Sequence, residues 1–425
     1  MRGRTMLVGA MLVLATGFCA CGEPAPEALL PVHEDRDAYD PGSAFGNDVF
    51  LVVWQSGRLA PGDIRNGPVG IGDIVGCRVD KSGKALDAKP LVISGAKDLQ
   101  ERPFVTFGGG VFLVVWQDLR NGKDYDVCAA RVSPDGKVLD PDGITVSGGA
   151  HNQAEPRVAW DGKTFVVVWS DFRSGDRYEV FGARVSADGK VLDQQGIPIS
   201  SDKYLARSPA VASAGNGKSM VLWIGATLTF YEGRCTLCSG AFLEDGKVAS
   251  PVQRYVGGDN RNEDGPSATG SPVCLAAGGQ TYLCAWKNET PVGRGIPRDS
   301  ANAGVFDQSG KRTKWFCLDG KPRQRVFDTA VSWDGSRFAA TWDERRCVGD
   351  PYQGNNSYHV VFASRVSAEG EPDGKPVQLS GSFESPAAKA TVASDGAGAT
   401  LVAYEKHPVT GDVPIKIGFR MLPSK

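Results

Sequence analysis

The chain has 425 residues, and its 47 Lys and Arg against 49 Asp and Glu leave a formal net charge of -2. With no basic block anywhere, the charge pattern argues against nucleic acid as a partner. The 54 Gly and 26 Pro sit between ordered Val, Leu, Phe and Trp runs, a combination that excludes a disordered chain and implies many short strands.

Arg2 and Arg4 precede an apolar run, Met6 to Phe18, that is too short to span a bilayer. It ends in "TGFCACGEPAPE", where small Ala20 stands before Cys21 and a Pro/Glu-rich tether follows. The segment resembles a bacterial lipoprotein signal, although Phe18 replaces the usual Leu. The resemblance implies a signal over residues 1–20, lipid on Cys21, a tether over 21–28, and one domain over 29–425. It also implies export to the cell envelope, with attachment to the outer membrane or periplasmic face through the acyl chains.

The elements that follow repeat one phrase. Its apolar core ends at Trp54, Trp116, Trp169, Trp223, Trp286, Trp342 and Tyr404, at spacings of 62, 53, 54, 63, 56 and 62 residues. The clearest copy reads as four strands: "PRVAW" (Pro156–Trp160), "TFVVVW" (Thr164–Trp169), "YEVFGARVS" (Tyr178–Ser186) and "GIPIS" (Gly196–Ser200). Each run is β-branched or aromatic and too short for a helix, and the Asp-Gly pairs in "WDGKTF" and "SADGKVL" suit tight hairpins. Four-stranded meanders at this period predict an all-β propeller, because each sheet buries its faces only against its neighbours. The last unit lacks a fourth strand, while "ALLPV" near the N-terminus matches one, so the reading is seven blades with the N-terminal strand closing the last. Units four and five are degenerate, which leaves six or eight blades as the competing counts.

"FLVVWxDxR", "GARVSxDGKVLD" and "GIxIS" resemble the tandem repeats of mostly uncharacterised β-propeller lipoproteins of large-genome, myxobacteria-like bacteria. That resemblance implies a fold and an envelope address and lends no catalytic residues. "SPDGKVLD" (Ser133–Asp140) departs in spacing from the Asp-box of sialidase propellers and lacks its aromatic residue.

Two groups of residues compete for function. Asp118 with Arg120, Asp171 with Arg173, and Glu344 with Arg346 stand two and four positions beyond their tryptophans, and Arg58 keeps the arginine alone. A single site needs its residues once, whereas a contact that holds a blade recurs, so these pairs read as structural. Long insertions instead collect on the face where strands two and four end. They carry Arg65, Asn260, Arg261, Arg294, Arg298, Arg345, Tyr352 and Asn355, a polar set on a rigid scaffold and the expected binding face.

Other chemistry is weakly signalled. Cys274 with Cys284 and Cys317 with Cys347 are the first candidates for disulfides, against buried free thiols as the alternative. "CTLC" (Cys235–Cys238) has half of a zinc spacing and no second half, so no metal site is assigned. Acidic turns such as "LDPDG" (Leu139–Gly143) lack the clustered oxygens of a dedicated calcium loop, and no cofactor is expected. His33, His151, His359 and His407 sit at unrelated places in the repeat. Glycoside cleavage needs a carboxylate pair, which the sequence does not rank among its acids. The leading expectation is a non-enzymatic propeller that binds an envelope protein or polysaccharide. The alternative is a glycan-active hydrolase or lyase with its site at the propeller mouth.

Overall fold

The computed structural model describes residues 24–59, 70–200, 205–226, 236–249, 253–256, 273–290, 298–319, 325–347, 357–408 and 413–423. Among them there is no helix, and the strands form seven antiparallel sheets. Blade 3 shows the pattern: Gln153–Trp160 lines the centre, followed outward by Phe165–Asp171, Glu179–Val185 and Ile197–Pro198. The inner strands of blades 1, 2 and 4 to 7 are Asp37–Gly46, Gln100–Gly108, Leu205–Ser213, Cys274–Gly278, Arg325–Trp333 and Ala387–Ser394. Each touches the inner strands on either side, and blade 7 returns to blade 1.

The second strand of each blade is covered on both faces by neighbouring sheets, so it is apolar throughout instead of alternating. Seven separate cores fill the gaps between consecutive blades. Trp54, Trp116, Trp169, Trp223, Trp286, Trp342 and Tyr404 are each at most 1 % exposed within them. The blades also interlock at the tight turns. The Phe107, Trp160 and Trp333 rings lie on Gly46, Gly108 and Gly278 of the preceding blade, where an added Cβ would fall 1.9 to 2.1 Å from a ring carbon.

Closure takes the form the sequence implies. Ala28 and Leu29 pair with Phe419 and Gly418 as the outermost strand of blade 7, and the Leu30 amide donates to the Ile417 carbonyl at 2.9 Å. The seam begins earlier than the expected boundary at residue 29. Ala25 already donates to the Met421 carbonyl, and the Glu27 carboxylate accepts from Tyr404 (2.7 Å) and Ser380 (2.5 Å) and pairs with Lys406 (3.1 Å). The degenerate units four and five are true blades. In blade 4 the outer position is split, Lys247–Val248 and Gln253–Val256 both pairing with Thr236–Glu244.

The strands run farther than the sequence reading allowed. Val49–Leu59, Thr281–Thr290, Arg298–Asp307, Phe338–Cys347 and Ser357–Val366 take in the ends of segments read as loops, because cross-strand pairing continues past the apolar core.

The Cys274–Cys284 disulfide is not present. Cys274 stands opposite Ala285 and Cys284 opposite Leu275, neighbouring register positions whose side chains leave opposite faces of the sheet. Cys284 is buried and Cys274 donates to the Thr329 carbonyl at 2.7 Å. The Cys347 side chain lies outside the described residues, and with it the Cys317–Cys347 pairing.

Candidate active site at the channel mouth

The inner strands of blades 1 to 4, 6 and 7 each carry a register break near their first residues, between Tyr39 and Gly42, Glu101 and Phe104, Ala154 and Arg157, Arg207 and Ala210, Val326 and Thr329, and Ala388 and Thr391. Such a bulge re-aims side chains and is favoured beside functional sites. In five of these strands the bulge places a non-glycine residue in the left-handed region: Asp40, Arg102, Glu155, Ser208 and Lys389, with φ between 49° and 57°. Blade 6 places Asp328 at the corresponding position. Left-handed backbone at a non-glycine residue costs roughly 1–3 kcal/mol and persists where the surroundings enforce it. Proline follows in four cases, Pro41, Pro103, Pro156 and Pro209, and its missing N–H suits the unpaired position of a bulge.

Four of these bulges are pinned by the residue that follows a blade's tryptophan or tyrosine. The Asp40 amide donates to Glu405 Oε1 (2.9 Å), that of Glu155 to Gln117 Oε1 (3.0 Å), and that of Ser208 to Ser170 Oγ (3.0 Å), each acceptor belonging to the preceding blade. For blade 6 the preceding position is Lys287, which offers no acceptor, and the Asp328 amide donates to Asp343 of its own blade at 3.0 Å. The mouth therefore carries carboxyls on blades 1, 3 and 6, cations on blades 2 and 7 and a hydroxyl on blade 4.

Two carboxyls there sit in opposite environments. Glu155 is 13 % exposed, and burial alone would raise its pKa. Arg207 (3.3 Å), Ser170 (2.8 Å), Arg102 (3.6 Å) and the Ser208 amide (3.0 Å) outweigh that and hold it below the ordinary carboxylate range. Among the described residues no cation forms an ion pair with Asp328. Burial, then the charge of Asp343, push its carboxyl up to about 7, with Asp40 and Glu405 adding to the rise and Lys389 opposing it. Asp343 is fixed by the Asp328 amide on one oxygen and by His359 Nδ1 on the other, at 2.8 Å. Lys389 bridges Asp40 (2.6 Å) and Glu405 (3.6 Å), and Glu405 also meets His407 Nε2 at 2.8 Å. The rim thus offers an acid protonated near neutrality, an ionised carboxylate and a cation.

The acid–arginine pairs lie elsewhere. Trp116 and Trp169 donate their indole N–H to Asp118 and Asp171 at 2.7 Å, and Arg120 and Arg173 clasp the same carboxylates at 2.6 Å. The arginines then reach the carbonyls of Asp142 and Gln195, tying strand two to the outer turn of the same blade. In blade 6, Glu344 takes the Trp342 indole at 3.0 Å and Arg346 at 3.4 Å. Of the expected binding-face residues, Arg345 lies within Phe338–Cys347, opposite Arg325 and His359. Arg298 begins a strand with its side chain outside the described residues, as do Arg65, Asn260, Arg261, Arg294, Tyr352 and Asn355 entirely. The segments bearing them join strand ends on the face of the charged rim.

No protein-family model and no curated protein matches the sequence. Among solved structures, the family-93 α-L-arabinofuranosidase of Fusarium graminearum superposes with TM-score 0.50 at 10 % identity, over 80 % of this chain and 96 % of that one. A protein of unknown function from Dyadobacter fermentans gives 0.48 at 12 % identity, over 95 % and 99 %. The α-L-arabinanase of Penicillium chrysogenum gives 0.44 at 11 % identity, over 92 % and 98 %. The likeness is one of fold.

Sequence reasoning missed Asp40, Arg102, Glu155, Asp328 and Lys389 because each sits alone, far in sequence from the others. A signal existed. In "YDPG", "ERPF", "AEPR" and "RSPA" the proline is kept while the residue before it changes from blade to blade, a cue that Asp328 and Lys389, followed by Thr329 and Ala390, do not carry.

Proposed function

We propose that the protein is an envelope-anchored glycoside hydrolase whose site is the charged rim, the alternative reading of the sequence, in place of the non-enzymatic binder. One observation carries it: a seven-fold repeat presents unlike charged residues at one register position of its inner strands. Among them a carboxyl held neutral and one held ionised face the same mouth. A blade-holding contact recurs in kind, whereas acid–base chemistry needs each group once.

In this reading Asp328 protonates the departing glycosidic oxygen, which its raised pKa permits near neutral pH. Glu155, ionised and fixed by two arginines and two serines, serves the opposite face of the sugar as base or nucleophile. Asp343 keeps Asp328 protonated and in place, and Lys389 and Arg102 bind sugar hydroxyls beside them. The fold shared with the Fusarium arabinofuranosidase is compatible with this reading and lends no residue to it.

The test is release of reducing sugar from a panel of plant and bacterial polysaccharides and aryl glycosides by the wild type, D328N and E155Q. Turnover by the wild type that falls about 10²- to 10⁴-fold in each variant supports the assignment. Undiminished turnover in both overturns the residues. Glycan binding without turnover by the wild type restores the binding-protein reading.

A further inference from the structure

Below the rim the channel changes character. At the register position two residues past the bulge residue, six blades present Gly42, Phe104, Ala210, Cys274, Ala330 and Thr391, and blade 3 alone presents a long cation, Arg157. Its guanidinium carbon lies 5.1 Å from the Phe104 ring centre, and Nη1 donates to the Pro156 carbonyl at 2.8 Å. Among the described residues no carboxylate lies within ion-pair distance of it. Glu155 and Asp40 act only from farther off, and burial dominates by lowering its pKa. Beneath it, toward the face of the tight turns, lies a cavity of about 380 Å³, within the ~300–1,000 Å³ of small-molecule sites.

Arg157 is partly buried, and a desolvated charge without a partner is held less well than one in open water, a deficit that a bound counter-ion offsets. With one donor committed to a carbonyl, the guanidinium keeps the others for an oxyanion, the group its planar fork fits best. The walls below include Phe45, Phe107, Val211, Leu275, Val331 and Trp333, and among the described residues Arg157 is the only Lys or Arg lining the cavity. One positive charge at the end of a cavity lined mainly by apolar side chains, with Ser43, Thr106, Ser332, Thr391 and Ser394 among them, matches one negative charge on an apolar chain, and disfavours doubly charged phosphate or sulfate.

We propose that the lower channel binds a monocarboxylate bearing an apolar chain, its carboxylate on Arg157 and its chain against the aromatic and aliphatic walls. The site lies on the other side of Arg157 from the rim.

Isothermal titration of the full chain with octanoate, acetate, chloride and octanol tests this. Saturable octanoate binding, at least about tenfold tighter than acetate or chloride, with no uptake of octanol, is expected. Replacing Arg157 by Met should weaken octanoate about 10- to 100-fold, the usual loss for a charge-assisted hydrogen bond. Ala330→Phe, which narrows the cavity and keeps the cation, should block octanoate by itself and covers the case in which R157M does not fold. Octanoate binding unchanged in either folded variant, absence of binding to the wild type, or equal affinity for chloride overturns the proposal.

Discussion

Replacing Asp343 by Asn should lower the pKa of a different residue, Asp328. The Asp328 carboxyl stands at about 7 against an ordinary 3.8, a rise of roughly three units, of which burial is the larger share and Asp343 the next. Removing the Asp343 charge while keeping an acceptor for the Asp328 amide should therefore bring the carboxyl part of the way back toward its ordinary value, at ~1.4 kcal/mol for each pKa unit recovered, with burial holding the remainder. Carbon-13 titration of aspartate carboxyls, with D328N for assignment, reads this without any substrate. In a pH–rate profile the same change moves the alkaline limb, because an acid catalyst loses activity as pH rises through its pKa. Stability gives a third readout. A carboxyl raised in the folded state opposes folding increasingly as pH climbs from its unfolded value toward about 7. D328N should then match the wild type in melting temperature near pH 4, where the penalty on the wild type is only beginning, and exceed it near pH 8, where that penalty is fully developed. A wild-type Asp328 that titrates in the ordinary carboxylate range, or one unmoved by D343N, refutes the reasoning.

Other outcomes follow from the same structure. Leu30, 3 % exposed in the core between blades 7 and 1, is expected on truncation to Ala to cost about 2–4 kcal/mol. A loss below ~0.5 kcal/mol in urea unfolding would deny the N-terminal strand its role in closure. Asp171→Ala leaves the Trp169 indole and Arg173 without their shared carboxylate and should cost about 3–5 kcal/mol, with no change in polysaccharide turnover beyond that due to unfolding. Cys21→Ala should release the exported protein from the membrane fraction, and retention after lipid labelling and fractionation would contradict the proposed anchor. Glu27→Gln should remove the advantage the seam gains above the unfolded carboxylate pKa, since the folded Glu27 is held low despite burial by Ser380, Tyr404 and Lys406. The difference in melting temperature from wild type should shrink as pH falls through that range, and a gap equally large at low pH would disprove the ionic latch.

The sequence by itself determined the architecture. Apolar runs ending in tryptophan at near-constant spacing have one economical solution, sheets stacked in a ring, and the missing last strand with a spare first one specifies how that ring closes. It also determined which face gathers long loops, since strand order alone decides where each connection emerges. Only the tertiary structure decided which side chains share a site. Asp40, Glu155, Asp328 and Lys389 lie tens to hundreds of residues apart and meet because each blade delivers its bulge to the same rim. Opposite protonation of Asp328 and Glu155 follows from which neighbours the fold sets against them, Asp343 for one and two arginines for the other. Arg157 reads in sequence as an ordinary charged strand residue, and becomes the single cation among the described residues of a mainly apolar cavity only when six other blades surround it with small, hydroxyl-bearing or aromatic side chains. Periodic burial is written in the order of residues along the chain. Proximity between blades, and the electrostatics that depend on it, arises when the ring is closed.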